Sequence, residues 1–285
     1  MNKNYLDKFI RNAFSEDIGE GDHTSFACIP NDTKGKAQLL IKQNGIIAGI
    51  EVAKQVFSKF DENLIVKTFI NDGEKVNIGD IAFTVEGKKV SILQTERIVL
   101  NIMQRMSGIA TQTNKYVEKI KDLKTKVLDT RKTTPGLRML EKAAVKIGGG
   151  VNHRMGLYDM IMIKDNHVDY SGGIENAINN TKTYLKKNNL DLKIEVEVRS
   201  IDEVNKTLKI GGIHRIMLDN FTPEQTKKAV KIINNKFETE SSGGINIDTI
   251  RSYAECGVDY VSVGALTHNF QSLDMSLKAI DYVKL

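Results

Sequence analysis

The second half of this chain repeats one unit, in which a short apolar run ends in a polar or glycine-rich tip and a helix-like stretch follows. The tips lie near positions 131, 164, 197, 219, 242 and 264, and the later ones recur about every 22 residues. This order of strand, tip and helix predicts parallel strands joined by crossover helices. Because no Gly-x-Gly-x-x-Gly loop stands where a doubly wound sheet would carry one, the pattern favours a parallel βα barrel.

The first 110 residues have a different pattern, which mixes short strands with helices. Residues 36–42, 64–70 and 81–85 have the composition of strands, and residues 51–59 that of a helix. Residues 89–106 keep a nearly helical apolar spacing. We therefore predict an α/β chain, with an amino-terminal α/β domain over residues 1–110 and a barrel domain over residues 111–268.

Composition excludes several classes of protein. Of the 285 residues, 40% are hydrophobic and 27% are charged, and no apolar run approaches the roughly 20 residues that a membrane helix needs. The amino terminus lacks the apolar core of a signal peptide, and two cysteines supply neither a disulfide framework nor a cysteine metal site. We expect a cytoplasmic protein that does not bind a membrane.

The charge balance indicates the type of ligand. The net charge is +5, but Lys and Arg are spread along the whole chain, and aromatic residues make up only 6% of it. A protein that binds nucleic acid should instead present a dense basic face with aromatic residues among the cations. The excess positive charge predicts a small anionic ligand and no nucleic acid.

Charged residues at the strand ends are the first candidates for function, because parallel barrels place catalytic groups at the carboxyl ends of their strands. The tips supply the cations Arg131, Lys132 and Lys164, and His153-Arg154 lies in a connection between two tips. Guanidinium groups bind carboxylates in a bidentate manner, and ammonium groups act as point charges on phosphates. The set predicts a substrate with several negative charges. For any single lysine, a solvated surface position is an equal alternative.

Two further tips are acidic, since Glu197 ends one apolar run and Asp219 ends the next. A carboxylate pair among lysines suggests a magnesium ion shared with phosphates. Glu195 lies on the same face of its strand as Glu197, and the alternation leaves open whether that face points into the barrel or toward the helices. Buried salt bridges to neighbouring lysines are the alternative interpretation, above all for Glu195.

The last two tips consist of small residues. They contain Ser242-Gly243-Gly244 and Gly264-Ala265. The late loops of βα barrels often bind a phosphate, because the backbone N–H groups of small residues can approach its oxygens closely. An isolated Ser-Gly-Gly is also common in ordinary turns. The prediction of phosphate binding therefore depends on the position of this segment at a late strand end.

A resemblance to a known family is carried by motifs that run in order from residue 15 to the end of the chain. The most specific of them is DTRKTTPG at residues 129–136. The others are SEDIGEGDHT at 15–24, ERIVLN at 96–101, SGIAT at 107–111, GGVNHR at 149–154, IKDNH at 163–167, EVEV at 195–198, MLDNF at 217–221, SGGI at 242–245 and VSVGALT at 261–267. The chain resembles the quinolinate phosphoribosyltransferases, which are type II phosphoribosyltransferases.

The resemblance implies a fold and a reaction. The fold is an amino-terminal α/β sandwich followed by a seven-stranded, incomplete barrel, with the carboxyl-terminal segment 269–285 returning to the first domain. The reaction transfers phosphoribose from phosphoribosyl pyrophosphate to quinolinate and releases carbon dioxide and pyrophosphate, giving nicotinate mononucleotide for NAD synthesis. Mg²⁺ is the implied cofactor, and the implied assembly is a homodimer or a hexamer built as a trimer of dimers.

The resemblance also implies roles for individual residues. Arg131, His153, Arg154 and Arg97 match the positions that hold the two carboxylates of quinolinate, and Arg97 reaches the site of the partner subunit. The positions that match catalytic residues are Lys132, Lys164, Glu197 and Asp219, of which the last two also match the magnesium site. The remaining substrate-binding positions are Thr130, Ser242, Gly243, Gly244, Val263, Gly264 and Ala265.

Two other functions remain open at this point. A barrel aldolase could use Lys164 as a Schiff-base nucleophile, which requires an apolar surrounding for the amine. A protein that only binds phosphorylated metabolites would explain the cations, but it would not explain the acidic pair of Glu197 and Asp219.

Overall fold

The computed structural model describes residues 3–30 and 32–280, with Lys3 described by its backbone alone. The chain forms two compact units. The first comprises the residues up to Asn114, Thr134–Gly149 and the segment from Phe270 onward, and the second comprises Lys115–Thr133 and Gly150–Asn269. Residues 281–285 of the predicted carboxyl-terminal segment lie outside the described residues.

The helices and strands follow one another along the described chain. Up to the start of the barrel they are α1 (Lys3–Ile18), α2 (His23–Cys28), β1 (Lys34–Ile41), β2 (Gly45–Ile46), α3 (Ile50–Phe60), β3 (Ile65–Thr68), β4 (Lys75–Val76), β5 (Ile81–Lys88) and α4 (Lys89–Lys119). The remaining elements are β6 (Lys126–Leu128), α5 (Arg138–Ile147), β7 (Ile161–Ile163), α6 (Asp165–Tyr170), α7 (Ile174–Lys187), β8 (Ile194–Val198), α8 (Ile201–Ile210), β9 (Arg215–Asp219), α9 (Pro223–Ile233), β10 (Glu238–Ser242), α10 (Ile250–Ala254), β11 (Tyr260–Ser262), α11 (Ala265–His268) and β12 (Met275–Ile280).

The first unit is built on a four-stranded antiparallel sheet with the order β12-β1-β5-β3. Alternate residues of β1 are buried, as the two-residue period of a strand requires when one face meets a core. Phe57 of α3 packs edge-on against Phe83 of β5, with ring centroids 5.8 Å apart. This sheet and its helices form the core of the amino-terminal unit.

Helix α4 is longer than the sequence spacing predicts, because it continues past residue 106 to Lys119. Its extension buries Ile109, Ala110 and Tyr116. Gly108 allows a close approach on this helix, since a Cβ there would lie 2.2 Å from the backbone oxygen of Gln271. The segment leading to β12 can therefore pack directly on the α4 backbone.

Helix α5 belongs with the first unit, whereas the sequence placed its residues in a continuous barrel domain over 111–268. A buried ion pair joins α5 to α4, in which Arg105 Nη2 lies 2.5 Å from Oε1 of the fully buried Glu141. Gly148, just after α5, also packs against the backbone of Ala110, where a Cβ would lie 2.4 Å from the carbonyl oxygen. The observed division is therefore more interleaved than the predicted one.

The second unit is the predicted parallel barrel, and it is incomplete. Within the described residues, six parallel strands pair in the order β6-β11-β10-β9-β8-β7. The seventh strand that the resemblance implies is reduced to one parallel bridge between Val151 and Leu128, beside β6. The fold-class prediction is confirmed, and the strand ends meet at one edge of the sheet.

Helix starts in the barrel follow local sequence signals. Helix α9 begins at Pro223, and the preceding Thr222 accepts a hydrogen bond at Oγ1 from the N–H of Gln225 at 3.3 Å. The Gln225 side chain accepts in return from the N–H of Thr222 at 2.9 Å, which completes a capping box. This cap fixes the turn that follows Asp219. Among the described helices, none combines the length and apolar character that crossing a membrane requires.

Candidate active site

A cavity of about 850 Å³ lies at the carboxyl ends of the barrel strands. It brings together most of the residues that the strand-tip argument and the resemblance select. Those that line it are Thr130, Arg131, Lys132, His153, Arg154, Lys164, Glu197, Asp219, Ser242, Gly243, Gly244, Gly264 and Ala265.

Two of the selected residues are not among those that line the cavity. Val263 is buried, and its N–H donates to the carbonyl oxygen of Leu128 at 3.0 Å, so it supports the sheet. Arg97 is exposed on α4 in the first unit. The implied contact of Arg97 with a partner subunit stays a prediction.

Two guanidinium groups, those of Arg131 and Arg154, line the same cavity. Burial lowers the pKa of Arg154, and the positive charge of Arg131 lowers it further. Nη1 of Arg154 donates to the carbonyl oxygen of Met160 at 3.1 Å, while its Nε is buried and has no hydrogen-bond partner among the described residues. A half-buried cation that senses a like charge and keeps an unsatisfied donor would be stabilised by an anion, especially a carboxylate.

A lysine and two carboxylates also line the cavity. Lys164 follows β7, and its Nζ lies 2.5 Å from Oε2 of Glu197 at the end of β8. Asp219 ends the adjacent strand β9 and accepts a hydrogen bond from Asn220 Nδ2 at 2.7 Å. Burial raises the pKa of Asp219, the negative charge of Glu197 raises it further, and Lys164 partly offsets the shift. The acidic pair therefore lines one cavity from neighbouring strands.

The glycines at the tip of β10 allow a tight loop. Gly243 has φ +101°, and a Cβ there would lie 2.2 Å from Oδ1 of Asn220. Gly244 has φ +62° with open space around it. In the described part of the chain no acceptor pairs with the N–H groups of these two residues, which leaves them available to a phosphate.

Hydrogen bonds join the first tip to the last one. The N–H of Lys132 donates to Oγ1 of Thr130 at 3.0 Å, and the carbonyl oxygen of Lys132 accepts from Oγ1 of Thr267 in α11 at 2.9 Å. A Cβ on Gly264 would lie 3.0 Å from Cδ of Lys132. The lysine and the glycine loop are thus parts of one packed surface.

His153 enters the cavity from a connection that a buried carboxylate fixes. Oδ1 of Asp129, which is fully buried, accepts from the N–H of His153 at 2.8 Å. Nε2 of His153 lies 2.9 Å from Oε2 of Glu195 and 3.3 Å from Oε2 of Glu240. Burial lowers the pKa of His153, but hydrogen bonds to these two carboxylates outweigh burial and raise the pKa to about 9.

The face that carries Glu195 and Glu197 points into the barrel. Glu195 is fully buried and pairs with His153, so the alternative interpretation of a salt bridge to a lysine is wrong for Glu195, although Glu197 does pair with Lys164. Burial and then the charge of Glu240 raise the pKa of Glu195 to about 7. Burial also raises the pKa of Glu240, but His153 and Arg215 outweigh it and hold the pKa below its ordinary value.

The strand-tip argument missed Glu240 and Arg215. Both lie within strands, at alternate positions that share a face with predicted residues, Glu240 with Ser242 and Arg215 with Asp219. Charged residues at alternate positions of three successive buried strands are the signal that would have found them. That pattern indicates a function only if the face that carries these residues points into the barrel, which the sequence does not show.

Comparison with known proteins identifies the family. The family model of the quinolinate phosphoribosyl transferase amino-terminal domain matches residues 22–107, and that of the carboxyl-terminal domain matches residues 109–278. The chain belongs to the quinolinate phosphoribosyltransferase family. The resemblance seen in the motifs is confirmed, and the chain is a pentosyltransferase by family.

Relatives of this family align with almost the whole chain. Quinolinate phosphoribosyltransferase (decarboxylating) 1b of Nicotiana tabacum is 45% identical over 284 residues, which cover 94% of this chain and 81% of that protein. The probable nicotinate-nucleotide pyrophosphorylase (carboxylating) of Bacillus subtilis is 40% identical over 277 residues, covering 97% and 94%. The structure of the nicotinate-nucleotide pyrophosphorylase from Francisella tularensis superposes with a TM-score of 0.92 at 37% identity, covering 98% of each chain.

Membership of the quinolinate phosphoribosyltransferase family disfavours the two alternatives. The site agrees, because the nitrogen of Lys164 is engaged in an ion pair with Glu197, whereas a Schiff-base aldolase needs a free amine nucleophile. The acidic pair at Glu197 and Asp219 likewise exceeds what a protein that only binds phosphates requires.

Proposed function

We propose that the strand-end cavity of this quinolinate phosphoribosyltransferase binds quinolinate on Arg131, Arg154 and His153 and phosphoribosyl pyrophosphate on the lysines and glycine loops. Phosphoribose passes to the ring nitrogen, carbon dioxide and pyrophosphate leave, and nicotinate mononucleotide is formed for NAD synthesis. The observation that carries the proposal is that Arg131, His153 and Arg154 line one cavity, where the buried Nε of Arg154 has no hydrogen-bond partner among the described residues and a dicarboxylate would supply one.

The acidic side chains fit the transfer step. Loss of pyrophosphate from the anomeric carbon develops positive charge on the ribose, and preoriented carboxylates stabilise such charge in a water-poor site. Glu197 is only 6% exposed at its side chain, and Asp219 is half-buried beside it. Lys132 and Lys164 offset the negative charge that accumulates on the departing pyrophosphate.

A magnesium ion fits the same carboxylates. Magnesium prefers oxygen ligands and is usually held by one or two carboxylates together with substrate phosphates, and Glu197 and Asp219 present such oxygens at the cavity wall. When bound, the ion would offset charge on the pyrophosphate. Changing Asp219 to Asn should raise the magnesium concentration needed for half-maximal activity while quinolinate binding stays nearly intact. An unchanged magnesium requirement would instead mean that the lysines bind the phosphates without it.

Decarboxylation sets a condition on how the two carboxylates are held. The 2-carboxylate must release its electrons toward a ring nitrogen made cationic by ribosylation, so it should be bound less tightly or in a drier place than the other carboxylate. The buried wall around His153 and Glu240 offers such a dry surface.

We further propose a homodimer, or a hexamer built as a trimer of dimers, in which the exposed Arg97 enters the cavity of the partner subunit. A reducing cytoplasm is the proposed location, since Cys28 and Cys256 are both free thiols. The plant relatives from Nicotiana glauca and Arabidopsis thaliana carry names that place them in mitochondria or chloroplasts.

Product analysis tests the proposed function. The full chain is incubated with phosphoribosyl pyrophosphate, magnesium and either quinolinate or nicotinate, and nicotinate mononucleotide and carbon dioxide are measured. Quinolinate should react, and nicotinate should be a poor substrate. Nicotinate has a single carboxylate, so one cation of the site stays unpaired, at a cost of roughly 2–5 kcal/mol. Comparable kcat/KM for both acids would reject the dicarboxylate assignment.

A further inference from the structure

Two buried charged side chains in the barrel form an ion pair, and one of them, Arg215, has no role in the steps above. Arg215 begins β9, Glu240 lies in the middle of the neighbouring strand β10, and both are buried. Nη1 of Arg215 donates to Oε2 of Glu240 at 3.0 Å. Ion pairs of this kind are costly to desolvate, and they rarely add stability over apolar side chains of similar size.

The pair continues toward the substrate cavity. The same Oε2 of Glu240 lies 3.3 Å from Nε2 of His153, which lies 2.9 Å from Oε2 of Glu195. Basic and acidic groups therefore alternate in the order Arg215, Glu240, His153, Glu195, which we call the buried charge row. It runs from the first residue of β9 to the cavity wall.

We propose that Arg215 is a positioning residue, which through its ion pair with Glu240 orients His153 and sets the charge behind the dicarboxylate site, and so determines affinity for the dicarboxylate without touching it. This inference rests on the proposed function, because it takes His153 as a contact of quinolinate. It goes beyond that function by assigning a role to a residue at the far side of His153.

The physical reason is electrostatic. Glu195 and Glu240 hold Nε2 of His153 as a donor, but two carboxylates behind an anion site would also repel a dianion. The guanidinium of Arg215 cancels one of these charges inside a region where water screens little. Removing it adds one uncompensated negative charge behind the substrate, whichever protonation state His153 adopts.

Arg215 also contacts Glu238 and Tyr260, but its loss should affect Glu240 more than these residues. Nε and Nη2 of Arg215 bind Oε2 of Glu238 at 3.1 and 2.9 Å, and its guanidinium stacks 4.1 Å from the ring centre of Tyr260. Glu238 is 39% exposed at its side chain, so water can solvate it when Arg215 is replaced. Glu240 is fully buried and cannot be compensated in that way.

The nitrogen and oxygen atoms of His153, Glu195 and Glu240 also lie close enough to ligate a cation, all within 4.8 Å of one another. The guanidinium of Arg215 already supplies positive charge to this group. We therefore assign the row as an ion-pair network, and metal analysis of the purified protein is part of its test.

A charge-restoring pair of variants tests the proposal. Arg215→Met should raise the KM for quinolinate about tenfold, while the KM for phosphoribosyl pyrophosphate and kcat stay within about twofold. Arg215→Lys keeps the charge and should recover most of the quinolinate affinity. The double variant Arg215→Met with Glu240→Gln removes both charges and should bind quinolinate better than Arg215→Met alone.

Binding gives a second readout that does not depend on turnover. Benzene-1,2-dicarboxylate, which carries two adjacent carboxylates but no ring nitrogen, is titrated calorimetrically into each variant, and thermal melting verifies the fold. Its affinity should follow the quinolinate KM. Equal rises in both KM values, or a double variant weaker than Arg215→Met, would show that Arg215 only maintains the barrel and would overturn the proposal.

Two controls separate this inference from the function on which it rests. If the wild-type chain does not turn over quinolinate, the proposed function itself has failed. If it does, and a stoichiometric zinc ion copurifies with it but is lost from Glu195→Gln, the group is a metal site and the ion-pair network is wrong.

Discussion

Nζ of Lys164 lies 2.5 Å from Oε2 of Glu197, which joins the residue before α6 to the end of the neighbouring strand β8. The lysine side chain is 44% exposed, but the carboxylate is only 6% exposed. Lys164 therefore provides a cation at the cavity surface while it fixes a carboxylate that water hardly reaches. Substrate phosphates that approach Lys164 would compete for the same ammonium group.

Lys164→Met is expected to lower kcat/KM for phosphoribosyl pyrophosphate by a factor on the order of 10², because it removes charge from the leaving-group side and leaves Glu197 unpaired. Lys164→Arg should retain part of the activity. Lys206→Met is the matched control, since Lys206 pairs with Asp202 at 2.7 Å on the exposed face of α8, and steady-state kinetics should show no change for it. If kcat/KM falls similarly in both methionine variants, Lys164 has no specific role in catalysis.

Asp219→Asn is expected to stabilise the fold while it weakens catalysis. Burial and the charge of Glu197 raise the pKa of Asp219 above its value in the unfolded chain, so ionised Asp219 reduces the free energy of unfolding at neutral pH. This cost vanishes when the pH falls below the ordinary Asp range near about 4, where both states are protonated. Urea unfolding in EDTA should find the variant more stable than wild type at pH 7, with the difference shrinking toward pH 4. If the variant is less stable than wild type at pH 7, the predicted direction of the effect is wrong.

Gly243→Ala is expected to damage the loop after β10. A Cβ there would meet Asn220 Oδ1 at 2.2 Å, and φ is +101°, so unfolding should be easier by about 1–3 kcal/mol and the KM for phosphoribosyl pyrophosphate should rise. Gly244→Ala is the control, because its φ of +62° is also left-handed but nothing lies within 4 Å of the added Cβ. Denaturant unfolding and kinetics should find the smaller effect at position 244. Equal effects would mean that backbone strain alone accounts for the change.

Mixed dimers test the partner-site role of Arg97. Arg97→Ala and Lys164→Ala should each be nearly inactive, but after complete subunit exchange about one quarter of wild-type activity should return. Half of the dimers would then be mixed, and each mixed dimer would hold one intact site. The exchange is followed with two affinity tags. If activity does not return although exchange is proven, Arg97 acts within its own subunit and the shared-site proposal is wrong.

The location of the site could be predicted from the sequence because polar tips end apolar runs at regular intervals. Parallel strands bring such tips to one edge, and the cavity is lined by residues from the tips at Arg131, Lys164, Glu197, Asp219 and Gly264. The spacing of the apolar runs is therefore enough to predict a site residue wherever that residue lies at a strand end.

Side chains inside the strands were harder to predict. Alternation grouped Glu195 with Glu197 but did not say which face met the barrel interior, so Arg215 and Glu240 received no role. The position of α5 has a similar cause. Its amphipathic pattern would suit either unit, and the contacts that hold it to α4, the ion pair of Glu141 with Arg105 and the packing of Gly148 on Ala110, join residues distant in sequence.

The pairing of β12 with β1 affects how the protein is made. Lys36 lies opposite Ile280 and Ile41 opposite Met275, so strands from near the two ends of the chain share one sheet. The first unit cannot complete this sheet until the ribosome has synthesised Met275–Ile280, although most of its residues emerge first. Such distant contacts slow folding and leave the edge of β1 without its partner during synthesis. We expect nascent chains truncated before Met275 to remain targets for chaperones.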